Sequence, residues 1–442
     1  MAPAARVLAN AILASVLPNV SGSVTPVTSG CDAGRAVDAA ASATAAKAPT
    51  RKTLTRTMIP EASSAETEVP SPIEAKTAIV HDWFQGYHGA EHVVETMRAE
   101  LFAPGVEPDV YTFHAARELL PAELAATIVG ESRLSRLPGI RQRGHDPGRW
   151  RLLLPLMARY FRSLPLDGYD LVIASSHAFA VHARPRPDAA YLCYCYTPIR
   201  YAWLPDTDLR VTGLRGRALD RLGARLRRLD REASARPDGY AAISTAVRER
   251  IRRFYGRDAE VIHPPVDLAD IAIGEKDPEL FLWVHRLVPY KRPLEVAEAF
   301  RGLPYRLLMV GVGPVEEELR RALPPNVELR GWLSREELVE LYGRAAGFVH
   351  VGEEDFGITM VEALAAGTPV IALGRGGALD IVRPDVDGVL VERAEPSEIR
   401  TAVELVARGD WDAASLRARA EEFSRARFVA RLRSFAHSLG AG

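Results

Sequence analysis

The chain has 442 residues with 56 basic and 57 acidic side chains, enough length for two or three domains and too even a charge for the overall basic footprint of a nucleic-acid binder. Its three cysteines, Cys31, Cys193 and Cys195, exclude a zinc set or a disulfide framework; Cys193 and Cys195, two apart on a strand, read as small apolar fillers on one face, and a reducing cytoplasm is expected. No apolar run reaches the ~18 residues of a spanning helix.

Residues 1–74 are rich in Ala, Ser, Thr, Pro and Val without periodicity, which reads as a disordered leader. Arg6 before residues 7–16 has a faint signal-peptide shape, but Asn10 and Pro18 interrupt it and export is not expected. The folded part is expected from Ala75. Residues 76–80 read as a strand ending in His81-Asp82-Trp83. A loop holding Gly86 and Gly89 leads into a helix over 90–102. The spacing is not the dinucleotide fingerprint. Two glycines still permit close backbone approach to a phosphate or sugar, with a plain tight turn as the alternative. A strand over 109–113 and a helix over 119–128 follow. Residues 133–162 then carry eight arginines against one acid, Asp146; they form either a helix on an anionic surface or an ordinary helix on a sheet.

A buried strand over 169–174 ends in Ser175-Ser176-His177, and one over 190–196 ends in Tyr196 and Thr197. In open α/β sheets such carboxyl ends face the ligand. Residues 209–236 hold nine arginines against three acids, with leucines three or four apart. This face contacts a membrane surface or polyanionic acceptor, or is simply solvated. A strand over 239–243, a helix capped by Ser244 and the rigid Pro264-Pro265 pair close this half.

A second alternation opens at Leu280. A strand over 281–284 runs into a loop with Arg286 and Lys291, and Pro293 starts a helix over 294–300. The strand 306–310 feeds Gly311 and Gly313, which is read as opening the next helix and leaving room for a nucleotide. Strand 327–329 ends in Gly331-Trp332-Leu333, and a helix over 336–344 follows. The central stretch is VHVGEEDFGITMVEALAAGTPV at 349–370: strand end, loop, helix over 358–366, Gly367 as left-handed stop, next strand. Glycines at 374, 376 and 377, a strand over 389–391 and helices over 396–408, 414–423 and 426–439 complete the chain.

The alternation predicts an α/β protein of two Rossmann-like domains, 75–265 and 266–415, facing across a cleft, with 416–442 as a terminal helix. Arg286 and Lys291, five apart in one loop, suit a diphosphate, one as a bidentate fork and the other as a point charge. Glu354 and Glu362 flank a helix N-terminus whose free N–H groups suit a phosphate. Carboxylates beside an anion site fit a ligand bearing hydroxyls as well as phosphates, and a nucleotide sugar has both.

Glu354-x7-Glu362 within EEDFGITMVEALAAGTPVI resembles the paired-glutamate motif of the retaining GT-B glycosyltransferases of family 4, RLVPYKRP its phosphate loop, and VGVGP and GWLS further motifs. HDWFQGYHGAEHV, SSHAFA and CYCYTPIRYAW are similar to a subgroup of GDP-mannose-dependent mannosyltransferases. The resemblance spans about 76–440. It implies a GT-B fold and retaining transfer of a hexose, mannose from GDP-mannose first, to a glycan or lipid-linked acceptor, in polysaccharide biosynthesis. No cofactor or metal is implied, because Arg286 and Lys291 hold the donor diphosphate. Glu354 would face the donor sugar and Glu362 the ribose. Gly86, Gly89 and Gly313, with the backbone of Phe356, Gly357 and Ile358, would line the donor, and Trp332 and Leu333 the base. His177 and Tyr196 are acceptor-side catalytic candidates. Two departures stand out: Tyr196 where the subgroup has histidine, and His285 where glycine or serine is usual. The expected location is cytoplasmic, with peripheral contact at the inner membrane face through the arginine-rich helices as one reading, and no nucleic acid is expected as a partner. Asp206-Thr-Asp208 superficially matches a DxD metal motif but lies in a proline-bounded loop. The alternatives are a UDP-sugar-dependent transferase, a non-catalytic GT-B binding protein, and a sugar-nucleotide epimerase.

Overall fold

The structure, a computed structural model, describes residues 70–137, 153–203 and 213–441. Residues 1–69, the middle of the first arginine-rich run, and Asp206 with Asp208 lie outside the described residues.

The first domain begins with β1 (Thr77–His81), α1 (Gly89–Glu100), β2 (Asp109–Thr112), α2 (Ala122–Thr127) and β3 (Ile128–Glu131). It continues through α3 (Leu154–Arg162), β4 (Leu171–Ser176), β5 (Ala190–Cys195), α4 (Arg200–Trp203), α5 (Gly213–Ser234), β6 (Gly239–Ala242), α6 (Thr245–Tyr255) and β7 (Glu260–Val261). The strands form a parallel sheet in the order β3-β2-β1-β4-β5-β6-β7. β1, β4 and β5 are buried along their whole length, as expected of strands covered by helices on both faces. Ser244 caps α6 by accepting from the Val247 N–H, and Gly256 ends it at φ +66°, a left-handed conformation that glycine adopts without strain.

The second domain has β8 (Asp277–Val284), α7 (Pro293–Phe300), β9 (Arg306–Val310), α8 (Glu316–Ala322), β10 (Val327–Arg330), α9 (Arg335–Arg344), β11 (Ala345–His350) and α10 (Ile358–Ala365). It ends with β12 (Val370–Leu373), α11 (Ala378–Ile381), β13 (Gly388–Val391), α12 (Pro396–Arg408), α13 (Ala413–Glu421) and α14 (Arg425–Ser438). Its parallel sheet runs β10-β9-β8-β11-β12-β13. Gly367 takes φ +69° after α10, the conformation anticipated from its place in the sequence.

α14 crosses to the first domain. Arg425 pairs with Glu100, Arg433 donates to the Leu101 carbonyl at 3.0 Å, and Phe428 packs edge-on against Tyr194. Arg417 binds the linker carbonyls of Ile271 and Leu268. These contacts brace the linker between the sheets.

Several details depart from the sequence reading. Ile73, assigned there to the leader, is fully buried, and its N–H donates to the Leu101 carbonyl. The helix expected over 119–128 is shorter, and its last residue begins β3, an edge strand too short and too mixed to show alternation. Gly313 does not open a helix: α8 starts at Glu316. A Cβ at Gly313 would strike the Leu287 carbonyl, and one at Gly311 the His285 carbonyl. Both glycines let two loops touch. Cys193 and Cys195 are buried free thiols, as expected for packing residues.

Candidate functional site

The carboxyl ends of both sheets face each other, and the loops leaving them carry the polar residues. From the first domain comes the β1–α1 loop. A Cβ on Gly89 would lie 3.2 Å from the Ile358 side chain at the start of α10. The glycine loop and the N-terminus of α10 therefore meet directly across the cleft. Glu91 accepts from the His88 N–H at 3.2 Å and closes the α1 N-terminus. Its burial raises that carboxyl to about 7.

Arg286, Lys291 and Glu354 come together on the second domain. Arg286 is exposed and makes no ion pair with a carboxylate among the described residues. Its charge holds down the basicity of both His88 and Lys291, so it is near both the glycine loop and the lysine. Lys291 is buried and contacts the Glu354 carboxylate. Burial, then Arg286 and Arg200, push its ammonium down to about 7. An anion entering here meets Arg286, which has no carboxylate partner among the described residues, beside a lysine that already contacts Glu354.

The loop carrying Glu354 is held by backbone approach. Gly377 donates its N–H to the Glu354 carbonyl at 2.9 Å. A Cβ on Gly377 would strike the Phe356 carbonyl, and one on Gly376 the Glu354 carbonyl. Phe356 turns its ring away from the cleft, onto His263 and Phe423. Gly357 takes φ +112° before α10, leaving the first N–H groups of that helix without helical partners.

Glu362 lies deeper. It pairs with Arg335 and accepts from the Tyr342 hydroxyl at 3.1 Å, and Arg335 also grips Asp270 of the linker at 2.8 and 3.0 Å. Burial raises the Glu362 carboxyl, against the pull of Arg335 and Tyr342. Each oxygen retains a further lone pair for a ligand hydroxyl. Trp332, at the end of β10, is 80% exposed, beside the half-buried Leu333.

On the first-domain side, Asp82 orders the end of β4. Its carboxylate accepts four N–H bonds of 2.5–2.8 Å from His177, Ala178, Phe179 and Ala180. His177, half-buried, stands edge-on to Trp83 at 4.4 Å, and burial lowers its basicity despite Asp82, which leaves the imidazole neutral near pH 7. Tyr196 is committed differently from the expectation. Its hydroxyl shares a 3.0 Å hydrogen bond with Ser175 and donates to the Ala90 carbonyl at 3.2 Å, tying β5 to the start of α1. It ties the glycine loop to the sheet.

Four features escaped sequence reading. Asp82 is one. The second is the Arg200–Arg250–Asp355 cluster, in which two first-domain arginines reach one second-domain carboxylate. The third is Arg335 with Tyr342 on Glu362. The fourth is His350, whose only sequence signal is a polar residue at a strand end. The arginines of α5 with described side chains are partly spent internally: Arg227 binds the Ala202 carbonyl, Arg231 the Phe254 carbonyl and the Trp203 ring, and Arg228 approaches Glu232. No described helix is long and apolar enough to cross a membrane.

Residues 87–270 match the family model described as Glycosyltransferase Family 4, and residues 269–427 the one described as Glycosyl transferases group 1. Two parallel-sheet domains with the site between their carboxyl edges, matched in succession by these two models, make the chain a member of the GT-B glycosyltransferase superfamily. Within it, D-inositol 3-phosphate glycosyltransferase of Mycolicibacterium gilvum is 35% identical over 170 residues, 33% of this chain and 38% of that protein. The chain thus spans well under half the length of the first curated relatives it matches. D-inositol 3-phosphate glycosyltransferase 1 of Catenulispora acidiphila is 27% identical over 351 residues, 69% of this chain and 79% of that protein. Among solved structures, HepE of Anabaena in complex with UDP superimposes with a TM-score of 0.60 at 18% identity, covering 82% of this chain and 100% of HepE. The lipopolysaccharide outer core galactosyltransferase WaaB does so with a TM-score of 0.57 at 17% identity, covering 82% and 99%. These likenesses establish the shared fold.

Proposed function

We propose that the chain transfers a hexose, with retention at the anomeric carbon, from a nucleoside-diphosphate sugar to an acceptor hydroxyl. One observation carries the reading: Arg286, Lys291 and Glu354 converge beside the N-terminus of α10, where that helix meets the first-domain glycine loop. Arg286 and Lys291 neutralise the donor diphosphate and the charge that grows on it as the glycosidic bond loosens. Free N–H groups at the start of α10 add a partial positive charge to the same end. Glu354 faces the sugar and Glu362 the ribose. With no enzymic nucleophile in the reading, the departing phosphate takes the acceptor proton on the face where the bond breaks. The protein supplies position and electrostatics. His177, neutral and facing the cleft, orients the acceptor or a sugar hydroxyl.

Between donors, the UDP-sugar reading has more behind it than GDP-mannose. HepE, of the same fold, is described with UDP and with UDP-glucose, whereas GDP-mannose rests on subgroup motifs alone. The curated relatives act, by their names, on D-inositol 3-phosphate, which supports a phosphorylated polyol as an acceptor to test beside lipid-linked glycans. Membrane contact through the arginine-rich helices stays a secondary reading for the lipid-linked case.

Calorimetry of the full chain with UDP, GDP, UDP-glucose and GDP-mannose tests the proposal. Binding of one base class, lost at least tenfold in Arg286→Ala and Lys291→Ala, is expected. A folded protein that binds none of the four would overturn the transferase reading in favour of a non-catalytic GT-B module.

A further inference from the structure

β8 and β11 are neighbours in the second sheet, and each ends in a histidine where its loop begins. The His285 and His350 rings lie 4.4 Å apart between centroids, inclined at 73°. His350 is 1% exposed. Among the described residues, the Nε2 atoms of both rings are buried without a hydrogen-bond partner. Their other nitrogens are engaged: His285 hydrogen-bonds the Val349 backbone, and His350 Nδ1 lies 3.3 Å from the Thr359 hydroxyl. In the tautomer that donates to the Val349 carbonyl and to the Thr359 hydroxyl, each Nε2 carries a lone pair. Two buried lone pairs side by side gain nothing from each other and forgo any hydrogen bond. Glu354 closes the group: its Oε1 is 3.9 Å from His350 Nε2, and a ligand atom from each of the three side chains lies within 4.8 Å of the others.

We propose that His285, His350 and Glu354 form a binding site for a divalent transition-metal ion of the zinc class. Two imidazoles and one carboxylate suit zinc and its neighbours, and are a poor set for magnesium, which prefers oxygen. With metal–ligand bonds of about 2.0–2.1 Å, ligand atoms around a tetrahedral ion are about 3.3 Å apart. The side chains reach that by rotations drawing each ligand atom inward by under about 1 Å. The ring contacts to Val349 and Thr359 are the partners that usually orient metal-bound histidines. Three protein ligands leave a fourth position for water or a ligand oxygen. The site shares Glu354 with Lys291, so the ion and the ammonium compete for one carboxylate. It draws on Glu354, which the donor reading turns toward the sugar, so the ion and a bound donor compete for that carboxylate; metal binding measured without nucleotide tests the site apart from that reading.

The test titrates the metal-stripped full chain, without nucleotide, with Zn2+ and with Co2+ as a spectroscopic probe. One ion per chain at micromolar affinity or tighter is expected, with the visible absorption of a low-coordinate Co2+ site. Mg2+ at the same concentration should not displace it. His285→Ala and His350→Ala should each weaken binding at least a hundredfold, and Glu354→Gln at least tenfold. Lys291→Ala should tighten it several-fold, because the competing cation is gone. Thr359→Val, a milder change for folding, should weaken it by ~10-fold or more. Absence of stoichiometric binding by the folded wild-type chain, or binding that survives loss of either histidine, would overturn the proposal.

Discussion

At the scale of single residues, Lys291 is a group whose state the site sets strongly. Burial and neighbouring arginines bring its ammonium to about 7, below its ordinary value of 10.5. A diphosphate binds the protonated form, so binding above pH 7 must take up a proton. Donor affinity is therefore expected to fall as pH rises from 7, by at most about tenfold per unit. Calorimetry in two buffers of different ionisation enthalpy should register proton uptake at pH 8, and Lys291→Ala should abolish it. The same shift makes the folded chain bind fewer protons than the unfolded one between about 7 and 10.5. Lys291 thus costs stability below that window, and the cost fades as pH rises through it. Glu362 is both a ligand candidate and a structural anchor for Arg335 and Tyr342. Glu362→Gln should lower stability by about 1.5–3 kcal/mol through its weakened charged hydrogen bonds, measured by denaturant unfolding. It should also erase any preference for UDP over 2′,3′-dideoxy-UDP if its ribose role is right.

At the scale of elements, the site depends on loops that touch through glycine. The 374–377 turn carries the 353–357 loop on its back, and Gly377 leaves no room for a side chain beside the Phe356 carbonyl. Gly377→Ala should destabilise by about 1–3 kcal/mol and move Glu354 away from Lys291. Unfolding curves would report the first effect, and a rise in nucleotide-sugar Kd of about tenfold the second. An unchanged Kd would mean that the loop does not position Glu354. Gly89 poses the corresponding question across the cleft. The sequence showed a strand–glycine–helix unit, but only the close approach to Ile358 gives that glycine a reason tied to the second domain.

For the whole molecule, the two domains are latched at the rim of the site. Asp355 receives Arg200 and Arg250 from the first domain, and the Asp380 carboxylate accepts from the Thr245 N–H at 2.6 Å with His263 3.5 Å away. Exposed single pairs contribute little, but a carboxylate shared by two arginines sets the geometry of approach. Asp355→Ala should open the domains, raising the radius of gyration in small-angle scattering, and should increase donor hydrolysis relative to transfer because the cleft admits water. Identical scattering and an unchanged hydrolysis ratio would assign the latch no part in closure.

Two alternating α/β halves, the Pro264-Pro265 linker, and the loops of Arg286, Lys291 and Glu354 were legible in the chain alone. Helix caps, glycine stops and buried apolar strands are local signals, and the glutamates and cations sit close enough in sequence to be read as pairs. What only the tertiary structure decided lies between segments far apart in the chain. Edge strand β3 is held by pairing with β2 rather than by its own pattern. Tyr196 looked free at a strand end until Ser175 and Ala90 took its hydroxyl. Asp82 looked ordinary until four N–H groups nearly a hundred residues away turned toward it. His285 and His350 stand 65 positions apart in the sequence, and the pairing of β8 with β11 makes them neighbours. Local chemistry follows from local sequence, but side-by-side placement follows from strand order, and strand order is settled by packing the whole sheet.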